Sequence, residues 1–110
     1  MKSKKKKKLE AAGWQVGTAD ELLGLSKQEA ELVELKLALA DGLRLRRQAR
    51  RLTQSRMAKL IGSSQSRVAK MEAADTTVTL DLLFRSLLAT GATRRQLARI
   101  IQRPTPSSAA

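Results

Sequence analysis

An all-α fold follows from three observations on the 110-residue chain. Apolar residues recur at spacings of three and four through most of residues 27 to 101. The apolar set is Leu, Ile, Val and Ala with only Trp14 and Phe84 as aromatics, which suits a small helical bundle and is poor for a sheet sandwich. Ser or Thr also stands at the head of each periodic stretch, where its hydroxyl can cap a helix. A chain of this length is expected to hold about one domain and no hidden catalytic one.

Residues 1–13, "MKSKKKKKLEAAG", place six Lys in the first eight positions and read as a disordered arm, because they cannot repay the entropy of ordering. Such an arm is either a solubilising tail or a source of non-specific phosphate attraction. "WQVG" is a short extended piece at best. Thr18 and Glu21 have capping-box spacing over "ADELLG", with Gly24 to close one or two turns. Ser26 and Glu29 repeat the device ahead of a long pattern in which Leu32, Leu35, Leu39 and Leu43 share a stripe flanked by Val33, Leu37 and Ala40. Asp41 and Gly42 interrupt it, since mid-helix Gly costs about 1 kcal/mol relative to Ala. The pattern predicts either one helix from 27 to about 51 or a break near 41.

Five Arg between 44 and 51 are too many to bury. Thr53 then caps "QSRMAKLI", whose Met57, Ala58, Leu60 and Ile61 supply an inward side. Gly62 suits the left-handed conformation at a helix C-terminus, and Ser63 or Ser64 caps "QSRVAKMEA", which buries Val68 and Met71. After "ADTTV", Thr79 caps an apolar helix through about Ala89 that Gly91 ends. Thr93 and Gln96 form a further capping box for "RRQLARII", buried through Leu97, Ile100 and Ile101. "QRPTPSSAA" lacks periodicity and reads as a flexible tail.

Charge divides unevenly along this scaffold. The net charge is +12, with residues 9–41 at net −5 and residues 42–110 at net +11. A positive field on that scale repels itself unless a polyanion offsets it, and nucleic acid is the leading one. With neither Cys nor His, disulfides, zinc fingers and histidine-based metal or acid-base sites are excluded. The remaining Ser, Thr, Asp and Glu mostly cap helices, so no enzyme and no cofactor is expected. No signal peptide and no membrane span is expected either, and the chain suits a reducing cytoplasm.

Two helices of about eight residues, joined at "GSS" and with small, amide and basic side chains on the second, fit a helix-turn-helix. "LTQ", "MAKLIG", "SSQSRVAKME" and the Leu-rich helix after them resemble the "TQ…LA…G…Q…V…E" pattern of the Cro and phage-repressor type of helix-turn-helix, the Xre family. The resemblance spans roughly residues 43–102. It implies an all-α, five-helix lambda-repressor-like DNA-binding domain with an N-terminal helical extension. The chain then divides into a Lys-rich arm (1–13), an acidic helical extension (14–42), the DNA-binding domain (43–102) and a tail (103–110).

The resemblance also assigns roles. Gln54 anchors a phosphate, Gln65 and Ser66 open the recognition helix, and Arg67, Ala69 and Lys70 are further base-reading positions. Side-chain chemistry permits this: Gln pairs with adenine N6 and N7, Arg or Lys donates to guanine, and an Ala methyl meets the thymine methyl. Ser64, Arg56, Lys59, Arg44 and Arg46 are phosphate candidates, with Arg50 and Arg51 more loosely so. Arg47 and Glu72 match a structural ion pair of the family. Ala73 and Ala74 depart from its usual Asn or Gly after the Glu, which leaves the tightness of that turn open.

The family arrangement implies a homodimer reading two half-sites of double-stranded DNA. Leu83, Leu87, Leu97, Ile100 and Ile101, or the Leu face of residues 32–43, are the interface candidates, although each is also accounted for by its own core. The acidic extension resembles antitoxins of type II, host-inhibition class toxin-antitoxin pairs, which implies a small basic ribonuclease toxin as partner. It fits an N-terminal packing extension equally well. A helical protein-interaction or RNA-binding module is the alternative to DNA reading, against which stands the shortage of stacking aromatics near the basic clusters.

Overall fold

The computed structural model describes residues 26–103, which form five helices and no strand. These are α1 (Lys27–Ala49), α2 (Gln54–Ile61), α3 (Gln65–Glu72), α4 (Leu80–Ala89) and α5 (Arg94–Gln102). The Lys-rich arm, the Thr18 and Glu21 spacing with Gly24, and the tail beyond Arg103 lie outside the described residues. Among the described residues no helix is long and apolar enough to cross a membrane.

Every helix opens on a hydroxyl cap. Ser26, Thr53, Ser64, Thr79 and Thr93 sit in extended backbone, and each side-chain oxygen accepts from the amide three residues on. Of the two, Ser64 rather than Ser63 takes the cap of α3. The Thr93 and Gln96 box is reciprocal, with the Thr93 amide donating to Gln96 Oε1 at 2.8 Å. A hydroxyl cap typically contributes about 1 kcal/mol, so five of them fix the phase of short helices that are marginal alone.

The C-termini share a device that sequence made visible in only two cases. After α2 and α4 the left-handed residue is Gly62 (φ 69°) and Gly91 (φ 91°). After α1 and α3 it is Arg51 (φ 56°) and Ala74 (φ 53°). In all four the next amide reaches back five residues: Leu52 to Arg47 O, Ser63 to Ala58 O, Asp75 to Lys70 O and Ala92 to Leu87 O. The turn after Glu72 is therefore tight despite having Ala in place of Gly or Asn. Ala74 bears the steric cost of that conformation and is itself buried.

α1 is unbroken through Asp41 and Gly42 and runs along α3, α4 and α5. It passes so close to α5 that a Cβ on Gly42 would lie 2.8 to 3.1 Å from three side-chain atoms of Ile100. Tertiary packing thus explains a glycine whose local propensity argues for a break. Leu39 and Leu43 of α1 meet Met57 and Ala58 of α2, Val68 and Met71 of α3, Leu83 and Leu87 of α4, and Leu97 and Ile100 of α5 in one core. Each buried Leu there contributes roughly 1.5–3 kcal/mol. Leu37 to Ala40, in the acidic stretch, are buried with it.

Three expectations about apolar positions are corrected. Leu60 does not face inward but is 48% exposed, because Met57, Ala58 and Ile61 already close that side of α2. Leu83, Leu87 and Leu97 are core, so their core assignment displaces the interface one, and Ile100 joins them with only an edge showing between α1 and α5. Ile101 is exposed rather than buried, since Leu97 and Ile100 use the inward face of α5.

Candidate nucleic-acid interface

The two short helices at the centre of the domain are held as a unit by an apolar seam. Met57 and Ala58 from α2 and Val68 and Met71 from α3 are all buried, and Ser86 of α4 closes the seam with its hydroxyl 3.1 Å from the Met71 sulfur. Ala58 permits the close approach, and Gly62 turns the chain without a Cβ in the left-handed region. Because Val68 and Met71 point inward, the helical period sends the first turn of α3 and its flank outward. Gln65, Ser66, Arg67 and Lys70 are exposed and Ala69 is half-buried between them.

A chain of polar contacts fixes α3 against α1 and carries on to its exposed edge. Glu72 is 6% exposed and accepts from Arg47 Nε at 2.6 Å and from the Arg47 terminal nitrogen at 3.0 Å, a two-pronged ion pair. Arg47, 16% exposed, uses its other terminal nitrogen on the Leu52 carbonyl at 2.9 Å. The hydrogen bond to Glu72 raises the Arg47 pKa above its ordinary value against the opposing effect of burial, with the Glu72 charge acting in the same direction. Gln54 at the start of α2 donates to Glu72 at 3.2 Å, and Gln65 donates to Gln54 Oε1 at 2.7 Å.

That last bond has a chemical consequence. With one N–H of the exposed Gln65 engaged by Gln54, its Oε1 and second N–H remain an acceptor and a donor, the two functions that adenine N6 and N7 call for. Gln54 lies in the same relay at the start of α2, with its Oε1 taken by Gln65 and one N–H by Glu72, which leaves its second N–H as the remaining donor.

The other predicted residues divide. Arg56 and Lys59 are exposed on α2, and Ser64 is the exposed cap of α3, all on the helix pair. Arg44 instead pairs with the buried carboxylate of Asp41. Arg46 donates to Thr90 Oγ1 at 2.8 Å and to the Thr90 carbonyl at 3.2 Å, tying α1 to the end of α4. Sequence reading did not single out Thr90, Asp41 as an ion-pair partner, or the link between Gln54 and Gln65. The first two are ordinary polar residues until the helices cross, and the third joins the first residues of two separate helices, which only their docking brings together.

A pair of short capped helices with a left-handed Gly between them, the second presenting amide and basic side chains, defines a helix-turn-helix DNA-binding domain. Residues 43–91 match the family model described as helix-turn-helix, and this segment is similar to the Cro and phage-repressor type. It is a DNA-binding domain of the regulator class. No curated protein and no solved structure gives a match.

Proposed function

We propose that the protein is a sequence-specific repressor that binds double-stranded DNA as a dimer on a short inverted repeat, with α3 in the major groove. The observation that carries this reading is the relay from Arg47 through Glu72 and Gln54 to Gln65. It spends a partly buried ion pair on orienting one exposed amide, which a merely solvated helix face has no use for. Binding at the operator obstructs transcription by occupancy. An autoregulating antitoxin is the finer form of this reading, supported by the exposed Glu29, Glu31 and Leu32 at the start of α1, a surface suited to a basic ribonuclease. Copurification with the product of an adjacent gene tests that form.

The test of DNA reading is binding to a duplex selected from a random library and to an unselected duplex, each over a salt series. Gln65→Ala and Lys70→Ala each cost about 1–3 kcal/mol on the selected duplex and little on the other. Arg56→Ala weakens both alike and reduces the salt slope by about 1. Equal losses on both duplexes for Gln65→Ala would defeat the assignment.

A further inference from the structure

A groove of about 220 Å³ runs between α1 and α5, with Gly42, Leu45, Ala49 and Ile100 along its floor. Arg46, Arg99 and Arg103 stand around it. We propose that this groove docks an acidic amphipathic helix of a partner protein, with an apolar ridge on the floor and carboxylates against the three arginines.

The cations are short of counter-charge. Arg46 spends its donors on the neutral oxygens of Thr90. Arg99 has no ion pair among the described residues, and Arg103 reaches Asp41 only at 3.8 Å, where Arg44 already neutralises that carboxylate. Burial, reinforced by the neighbouring Arg50, lowers the pKa of Arg46, as befits a guanidinium that lacks an anion. An incoming carboxylate removes that penalty.

The floor decides among anionic occupants. A phosphate backbone offers nothing apolar to cover Leu45, which is 38% exposed, and Ala49 beside it. A second copy seated symmetrically on the same face would set arginine against arginine around a shared axis. An amphipathic acidic helix satisfies both the floor and the rim.

The groove is also clear of the DNA-reading surface. Gly42, Leu45, Arg46 and Ala49 form one stripe of α1, whereas Arg47, which reaches α3, lies about 140° round the helix from Gly42. Partner and DNA are therefore bound on different sides of α1.

The experiment uses the full chain and a fluorescently labelled synthetic helix of Leu and Glu with an apolar stripe, beside a permuted peptide of equal composition without one. The striped peptide binds, and its chemical-shift changes fall on Leu45, Ala49 and Ile100. Arg99→Glu and Leu45→Glu each weaken it by at least about tenfold. Arg94→Glu, an equal change of charge about 140° round α5 from Arg99, alters it less than about twofold. Circular dichroism confirms that each variant keeps its helices. Equal binding of the permuted peptide, or shifts confined to α2 and α3, would overturn the proposal. So would an Arg99→Glu loss on random duplex DNA as large as that of Arg56→Ala, which would make the rim a phosphate contact. A drop in sedimentation mass on Leu45→Glu would likewise give the groove to a second copy.

Discussion

Glu72→Ala is the most informative perturbation of this molecule. The substitution removes three hydrogen-bond acceptances at once, two from Arg47 and one from Gln54, and leaves the Arg47 guanidinium without a counter-charge. Breaking one side of a buried ion pair typically costs about 3–5 kcal/mol. Arg47 keeps its bond to the Leu52 carbonyl and is 16% exposed, so the lower end applies, about 3 kcal/mol. In a domain of this size 1 kcal/mol moves Tm by about 4–8 °C, which gives a fall of roughly 12–24 °C. Urea unfolding read by circular dichroism measures the loss, with the slope against urea unchanged. Replacing both partners by apolar residues, Arg47→Met with Glu72→Leu, restores most of it, because no charge is then stranded. A Glu72→Ala loss below about 1 kcal/mol, or a double variant as unstable as the sum of the singles, would refute the stranded-charge account.

Gly42→Ala gains about 1 kcal/mol of helix propensity but drives a methyl into Ile100, an overpacking cost of about 1–3 kcal/mol. It lowers stability in the native background and raises it in Ile100→Ala; the same sign in both backgrounds would show that the close approach is immaterial. Gly62→Ala meets no atom within 4 Å but must hold φ near 69°, and it costs about 1 kcal/mol by thermal unfolding. A neutral result there would mean that the turn relaxes. The Asp75 pKa is lowered chiefly by the Thr77 hydroxyl and then by the Thr77 amide, at 2.7 and 2.9 Å, so the folded state favours the carboxylate. Its contribution is present above the ordinary value near 3.8 and is lost as pH falls through the lower folded value. Asp75→Asn, which keeps an acceptor oxygen, flattens the acid limb of stability below about pH 4. An unchanged limb would assign that limb to other carboxylates.

The sequence by itself determined where helices begin, because a hydroxyl cap acts on an amide three residues away and needs nothing distant. It also placed Gly62 and Gly91, the outward side of α3, and the residues that meet as Arg47 and Glu72, the last through a family pattern rather than through spacing. Local signals end there. Arg51 and Ala74 adopt left-handed turns that neither residue type favours, held by the elements packed on either side. Leu60 and Ile101 are as apolar as their buried neighbours, and only the crossing of helices decides which of them meet another surface. Gly42 reads as a weakness until Ile100 is seen against it. The Gln54 to Gln65 bond and the burial of Asp41 exist only once separate helices are docked, since hydrogen bonds and ion pairs between distant residues depend on distances that a linear pattern does not contain.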